Sequence, residues 1–330
     1  MIECIFTLDY EIYGNGRGNL RDLVYEPATK LIELFNRADA QMVVFVEVAE
    51  LEMIEAAKSD PAIKEVIEQV GAMYNQGHEI ALHLHPQWYN ANYRNGSWVL
   101  DNSEYNLCTL PGPRIVEITD RAIGYLQNIV GGKDYQPTSF RAGNWLFQPT
   151  GPAAKTLAER GIKIDSSVFK GGVQRQHRLD YRHAMKNGDF WKFSADVTTA
   201  DPAGRILEIP IYTEMVPFWK MATSKRTAFR NTGGGSKVAI RAKINKMLDR
   251  ARFFYPLKFD FCRMTLKELT AMVDRVIIKD RNASSYKPLV AIGHTKDLED
   301  FETVASFLSY LKGKNIAITT LEKACNKCRQ

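Results

Sequence analysis

The chain has 330 residues, 45% apolar and 25% charged, with 44 Lys/Arg against 38 Asp/Glu. That length fits one α/β barrel or two smaller domains, and an average Gly and Pro content excludes collagen-like and disordered chains. The best apolar run, residues 42–48, holds Glu47 and falls far short of the ~20 residues of a membrane span.

Residues 3–8 form the first apolar, β-rich run and end in Asp9, Tyr10 and Glu11; a helical pattern follows over 26–38. A second strand over 42–46 ends at Glu47 and precedes a helix over 61–76. The third, 79–84, runs through His83 to His85, with a helix over 114–130. Residues 138–141 end in Arg141, then a helix spans 150–160, and 162–164 ends at Asp165. A sixth strand, 206–212, carries Glu208, with Glu214 beyond it. Helical patterns over 237–252 and 265–280 lead to a seventh strand, 289–292, which runs into His294, Thr295 and Lys296. A helix over 298–311 and a strand over 316–319 close the series. Alternating strands and helices, with strands apolar on both faces, predict parallel βα units. One α/β layer or barrel of seven or eight strands, residues 1–330 as a single domain, accounts for them.

The net charge of +6 is uneven. Residues 217–263, an insertion by length between strands six and seven, hold twelve Lys/Arg against two Asp. Within it, 237–252 reads as a basic amphipathic helix. Three readings stay open, in this order: a solvated face, a site for an anionic ligand, a membrane-surface helix. The Gly233-Gly234-Gly235-Ser236-Lys237 run fails the phosphate-loop spacing and reads as a loop. No signature of sequence-specific nucleic-acid binding is present. Five scattered cysteines (Cys4, Cys108, Cys262, Cys325, Cys328) read as reduced thiols, and Cys325-x-x-Cys328 alone is weak evidence for zinc. With no basic stretch ahead of the first strand, the expected location is cytoplasmic.

In βα folds the site lies at the carboxyl ends of the strands. Acids, histidines and an arginine stand there on at least five strands, and such strand-end polars rarely gather without a function. Two carboxylates and two histidines suit a divalent metal. His83 and His85, two apart on a strand, face the same way; His85 is a second ligand or a packing neighbour. No G-x-S-x-G elbow or H-E-x-x-H motif competes, so a metal-activated water with a carboxylate base and a histidine acid is the expected chemistry.

Five ordered motifs resemble the polysaccharide deacetylases (carbohydrate esterase family 4, the NodB-homology superfamily). They are residues 6–11 (FTLDYE), 77–86 (GHEIALHLHP), 139–145 (SFRAGNW), 164–167 (IDSS) and 291–295 (AIGHT), and the resemblance spans residues 3–321. It implies a distorted (β/α) barrel that hydrolyses an acetyl group from an amino sugar or glycan. It implies one divalent ion, Zn²⁺ first and Co²⁺ or Ni²⁺ as substitutes, held by Glu11, His83 and His85. Asp9 would be the base, Arg141 its partner, and His294 the acid, with Asp165 holding the His294 imidazole. Asn144 and Trp145, and Trp88 in the loop after His85, would bind substrate. The family's second aspartate is Tyr10 here and its two histidines, usually four apart, are His83 and His85, so this is an atypical branch.

Trp88, Tyr89, Tyr93 and Trp98 suit sugar rings or pack the loop onto the barrel. Glu208, mid-strand, needs a partner if buried. The expected function is metal-dependent deacetylation of a glycan in surface-polysaccharide assembly, with a nucleotide- or lipid-linked sugar as one substrate form. The alternatives are another acyl or formyl amidohydrolase, including one that opens a ring amide, and a non-catalytic glycan-binding relative.

Overall fold

The computed structural model describes residues 1–132, 134–185, 188–221, 225, 252–280 and 285–328. Its frame is a curled sheet built on the buried strand β1 (Ile2–Tyr10). Along the chain follow β2 (Val43–Glu47), β3 (Glu79–Leu84), β4 (Ser139–Ala142), β5 (Ile164–Asp165), β6 (Trp191–Phe193) and β7 (Ile206–Glu208). An antiparallel hairpin, β8 (Thr213–Pro217) with β9 (Phe254–Lys258), precedes β10 (Lys287–His294) and β11 (Ala317–Ile318). The spatial order is β6-β7-β5-β4-β3-β2-β1-β10, with β11 beside the start of β1. Every pairing in it is parallel except β6 with β7.

The curl closes through irregular backbone. Ile211 bridges both Phe169 and Val290. Tyr212 N–H donates to Val290 O at 3.0 Å, and Phe261 N–H to Ile292 O at 3.0 Å. The result is a distorted (β/α) barrel. All eight expected strands are present, but the sixth splits: 206–208 pairs with β5, while Ile211 and Tyr212 reach β10.

On the outer face of β1, Phe6 meets the rings of Phe35 and Phe307, on the helices Glu26–Arg37 and Phe301–Gly313, at 5.1 and 5.8 Å, and that of Phe261 at 5.4 Å. Outside, helices lay an apolar stripe on the sheet. Gly112–Val130 buries Ile115, Ile118, Ala122 and Leu126, each large side chain contributing ~1.5–3 kcal/mol. Leu266–Lys279 starts from a capping box, Thr265 with Glu268, which satisfies two otherwise open N–H groups.

Three elements escaped the sequence pattern. A helix, Val48–Ala57, starts directly at the end of β2. Strand β6 runs antiparallel. The segment expected as an insertion, 217–263, is in part barrel wall: β9 pairs with β8, and Phe259 and Phe261 bond to β10. The expected helix over 237–252 and the glycine run before it lie outside the described residues, except Arg252. Among the described residues no helix is long and apolar enough to cross a membrane.

Candidate active site

Side chains alternate along a strand, so Asp9 and Glu11 leave β1 on one face and Tyr10 on the other. Tyr10 is buried toward helix Ile63–Asn75, where its hydroxyl donates to Gln69 Oε1 at 2.7 Å. It cannot stand in for a ligand; Glu11 is the second carboxylate of this face.

Asp9 lies between two partners. Arg141 Nη1 donates to Oδ1 at 2.6 Å, and His294 Nε2 is 3.3 Å from Oδ2. The fully buried guanidinium also donates to Ser166 O (2.9 Å), Thr7 Oγ1 (3.0 Å) and Ser166 Oγ (3.2 Å). Burial works against charge on Asp9, but Arg141, His83 and His294 outweigh it and hold the carboxyl below its ordinary range.

Glu11 divides its oxygens. Oε1 accepts from Lys296 Nζ at 2.7 Å. Oε2 faces His85 Nε2 at 3.1 Å and His83 Nε2 at 3.5 Å. His83 Nδ1 lies 2.8 Å from Arg141 O; a carbonyl only accepts, so Nδ1 carries the hydrogen and Nε2 keeps a lone pair. The amides of Gln87 and Asn144 flank His85 Nδ1 at 3.3 and 3.2 Å. Gln87 stands four residues after His83, where the resembled family has its second histidine.

Glu47 completes this group. It ends β2, opposite His83 in the register, and caps the helix behind it by accepting from Glu50 N–H. It is wholly buried and its Oε2 has no hydrogen-bond partner. Burial, then Glu50 and Glu11, pushes its carboxyl well above the ordinary range. Ligand atoms of Glu11, Glu47, His83 and His85 all lie within 4.8 Å of one another. An orphaned carboxylate oxygen beside a second carboxylate and an imidazole lone pair calls for a cation, and two imidazoles with two carboxylates are a donor set for a divalent metal. The residues therefore fit the ion expected from the sequence.

Around them is a cavity of about 200 Å³. Asp9, Glu11, His83, His85, Asn144, Trp145 and His294 all line it. Asn144 and Trp145 hold it with left-handed backbone, φ +52° and +59°. Gly143 packs so tightly that a Cβ would stand 2.6 Å from His85 Cγ. Lys258, Asp260, Arg263, Lys296 and Asp297 also line the cavity. Lys258 Nζ sits 3.1 Å above the Trp145 ring centroid, and burial pulls its pKa down to about 7.

Two expected residues stand elsewhere. Asp165 does not hold His294: its carboxylate accepts from Ser167 Oγ at 2.7 Å and faces Glu208 across β5 and β7. Asp297 faces the imidazole instead, with Oδ2 3.7 Å from His294 Nδ1, while accepting from Arg263 Nε at 2.9 Å. Trp88 is wholly buried, packed edge-to-face on Trp98, and does not line this cavity. Glu47 was visible as a strand-end acid. Asp297, three residues after His294, had a local signal in its spacing, whereas Lys258 and Asp260 had none, because the sequence reads them as part of an insertion.

No family model and no curated protein matches the chain. Solved structures do. A chain assigned as a polysaccharide deacetylase from Mycobacterium smegmatis aligns over 99% of this chain and 90% of its own, with 15% identity and a TM-score of 0.54. The Puue allantoinase aligns over 99% and 89%, at 14% identity and 0.51. A chain assigned as a polysaccharide deacetylase from Pseudomonas aeruginosa PAO1 aligns over 99% and 90%, at 14% and 0.50. At this identity the likeness is one of fold: the chain has the barrel of the polysaccharide deacetylases.

Proposed function

We propose that the protein is a metal-dependent hydrolase that removes an acetyl group from an amino sugar or glycan, with residues 1–330 acting as one catalytic unit. The observation that carries this reading is Asp9, ionised by Arg141, 3.3 Å from His294, beside the Glu11–Glu47–His83–His85 group. Glu11, Glu47, His83 and His85 would hold the ion, with Zn²⁺, Co²⁺ or Ni²⁺ as candidates. Bound there, a divalent ion polarises a carbonyl and acidifies a water.

The chain's own residues do the proton work. Asp9, kept ionised by Arg141, takes the proton from the attacking water. His294 gives its proton to the leaving nitrogen or oxygen from the opposite side of Asp9. Asp297, near Nδ1, favours the imidazolium that makes this transfer possible. Trp145 and Asn144 form the wall against which the sugar lies. No described residue speaks for a nucleotide or lipid link on the substrate.

A second reading rests on Lys296. Its ammonium already neutralises Glu11 at 2.7 Å, which suits an amidohydrolase that opens a small ring amide on Asp9 and His294 without an ion; the allantoinase of similar fold keeps that class in view. Acetate release from N- and O-acetylated sugars, and ring opening of cyclic amides, should be followed with and without chelator. Acetate release that stops with chelator and returns with metal supports the first reading. Ring opening indifferent to chelator supports the second. No hydrolysis of any acyl substrate sinks both.

A further inference from the structure

The hairpin of β8 and β9 reaches the catalytic cavity at one end and an aromatic cluster at the other. Lys258, the last residue of β9, lines the cavity, and Phe254, the first, stands ~13 Å away at strand rise. Phe218, Trp219, Phe253 and Phe254 close that far end, each 50–58% exposed. They form one group, with ring centroids 5.3 Å apart for Phe218–Trp219, 5.3 Å for Trp219–Phe253 and 5.0 Å for Phe253–Phe254. Phe218 N–H donates to Phe253 O at 3.0 Å, which ties the two halves of the cluster together through the backbone. Exposed apolar residues standing singly are ordinary; four in one group mark a surface that meets a partner.

Charge selects the partner. From Lys220 to Arg252 the sequence holds ten Lys/Arg and one acid, Asp249. Lys220 follows Trp219 and Arg252 precedes Phe253, so this charge begins and ends at the aromatics. Lys225 is paired with Asp300 at 2.9 Å, which leaves nine cations against one acid. A second copy of the chain would bring the same positive excess to the contact, and like charges disfavour that pairing. Nucleic-acid bases stack on open ring faces, whereas these rings interlock edge-on, at 73–82° in the three pairs. Exposed Phe and Trp flanked by Lys and Arg are instead the composition that settles at a bilayer surface. The rings enter the boundary of the acyl chains and the cations meet anionic headgroups.

We infer that Phe218, Trp219, Phe253 and Phe254 dock the protein onto an anionic lipid surface and hold the catalytic cavity near the bilayer. The inference stands apart from the proposed reaction, since it needs neither the ion nor the acetyl group. It is tested by sedimenting the full chain with vesicles of phosphatidylcholine alone and of phosphatidylcholine mixed with phosphatidylglycerol, at low and raised salt. Wild type is compared with the double variant Trp219→Ser/Phe253→Ser and with Trp219→Phe. Quenching of tryptophan fluorescence by brominated acyl chains reads insertion, and urea unfolding checks the fold of each variant. Binding is expected to the phosphatidylglycerol vesicles, weakened by salt and reduced about tenfold or more in the double variant. Trp219→Phe should keep the binding and lose the quenching. Should the double variant unfold early, the quenching difference between wild type and Trp219→Phe decides in its place. No binding to either vesicle overturns the inference, and so does binding that the intact double variant retains in full, which makes it an effect of charge alone. A wild-type dimer that the double variant abolishes, without vesicle binding, gives this face to a second copy and also overturns it.

Discussion

Arg141 and Asp9 meet at 2.6 Å across β4 and β1, both buried, with the guanidinium exposed to no solvent at all. Every nitrogen of that guanidinium is already spoken for by Asp9, Thr7 or Ser166. Removing one partner of such a pair strands the other charge, which costs ~3–5 kcal/mol. Arg141→Met is expected to lose stability on that scale in urea unfolding and to abolish hydrolysis. Asp9→Asn, which can still accept from Arg141, is expected to lose activity by ~10²–10⁴ with much less effect on stability. If the two variants unfold alike, Arg141 is not held in place by Asp9.

In the proposed reaction, Asp297 would position the acid, His294. Its Oδ2 is 3.7 Å from His294 Nδ1. Burial lowers the His294 pKa, while Asp9 and Asp297 pull it back up. In Asp297→Asn the upward pull is weakened, so the imidazolium is lost at a lower pH. The falling, high-pH limb of kcat/KM should move to lower pH, with kcat reduced more than KM is raised. Asp165→Asn should leave that limb where it is, since Asp165 is engaged with Ser167 and Glu208.

In the proposed metal site Glu47 would be one of the ligands. With its Oε2 unpartnered among two imidazoles and Glu11, the carboxyl holds a proton or faces a cation. Glu47→Gln keeps the shape and removes the charge. Divalent-metal affinity, read by competition with a chromophoric chelator, is expected to fall by at least the ~10–100-fold that loss of a group merely supporting a ligand costs, and His83→Ala to abolish stoichiometric binding. Unaltered affinity in Glu47→Gln would leave Glu11, His83 and His85 as the whole ligand set.

Gly143 has no room for a methyl group. A Cβ would stand 2.6 Å from His85 Cγ and 2.7 Å from Leu84 O, and the carbonyl is backbone that cannot step aside. Gly143→Ala is expected to cost ~1–3 kcal/mol and to weaken metal binding by displacing His85. Full metal affinity in that variant would mean that His85 is not a ligand.

How much of this was legible in the sequence follows from how local the signal is. The parallel strands were readable because runs such as Val43–Glu47 are apolar on both faces, and their polar ends announced Asp9, His83, Arg141 and His294. The role of Tyr10 became plain only once strand alternation turned it toward Gln69. Asp165 was misplaced because its motif resembles a site residue, yet its neighbour across the sheet is Glu208, a pairing set by register between β5 and β7. Lys258 and Asp260 were hidden because a long basic stretch separates them from β8, the strand that β9 pairs with. Trp88 looked like a sugar platform, but a tryptophan in a loop gives no sign of its burial in sequence; here it is wholly buried and packed edge-to-face against Trp98.

Glu79, at the opposite end of β3 from His83, gives the fold its own pH dependence. It is buried, accepts from Ser139 Oγ and from Glu322 N–H at the start of the last helix, and burial lifts its pKa from 4.5 to about 7. Between those values the folded chain keeps a proton that the unfolded chain has lost, so the unfolded state binds fewer protons and stability falls as pH rises. The contribution is intact below pH 4.5 and is gone above about 7, a change of up to ~3 kcal/mol. His78 works in the opposite sense: burial lowers its pKa from 6.5 to about 4, so its contribution is lost as pH falls through that window. Because the two slopes oppose each other, the wild-type curve alone is uninformative, and the difference between wild type and Glu79→Gln isolates the carboxyl. Urea unfolding from pH 4 to 8 should show the variant gaining on wild type as pH rises, with the gain levelling off above about pH 7. A pH-independent difference would mean that Glu79 ionises normally in the folded protein, and that Ser139, Thr320 and Glu322 together carry a full carboxylate at the foot of the barrel.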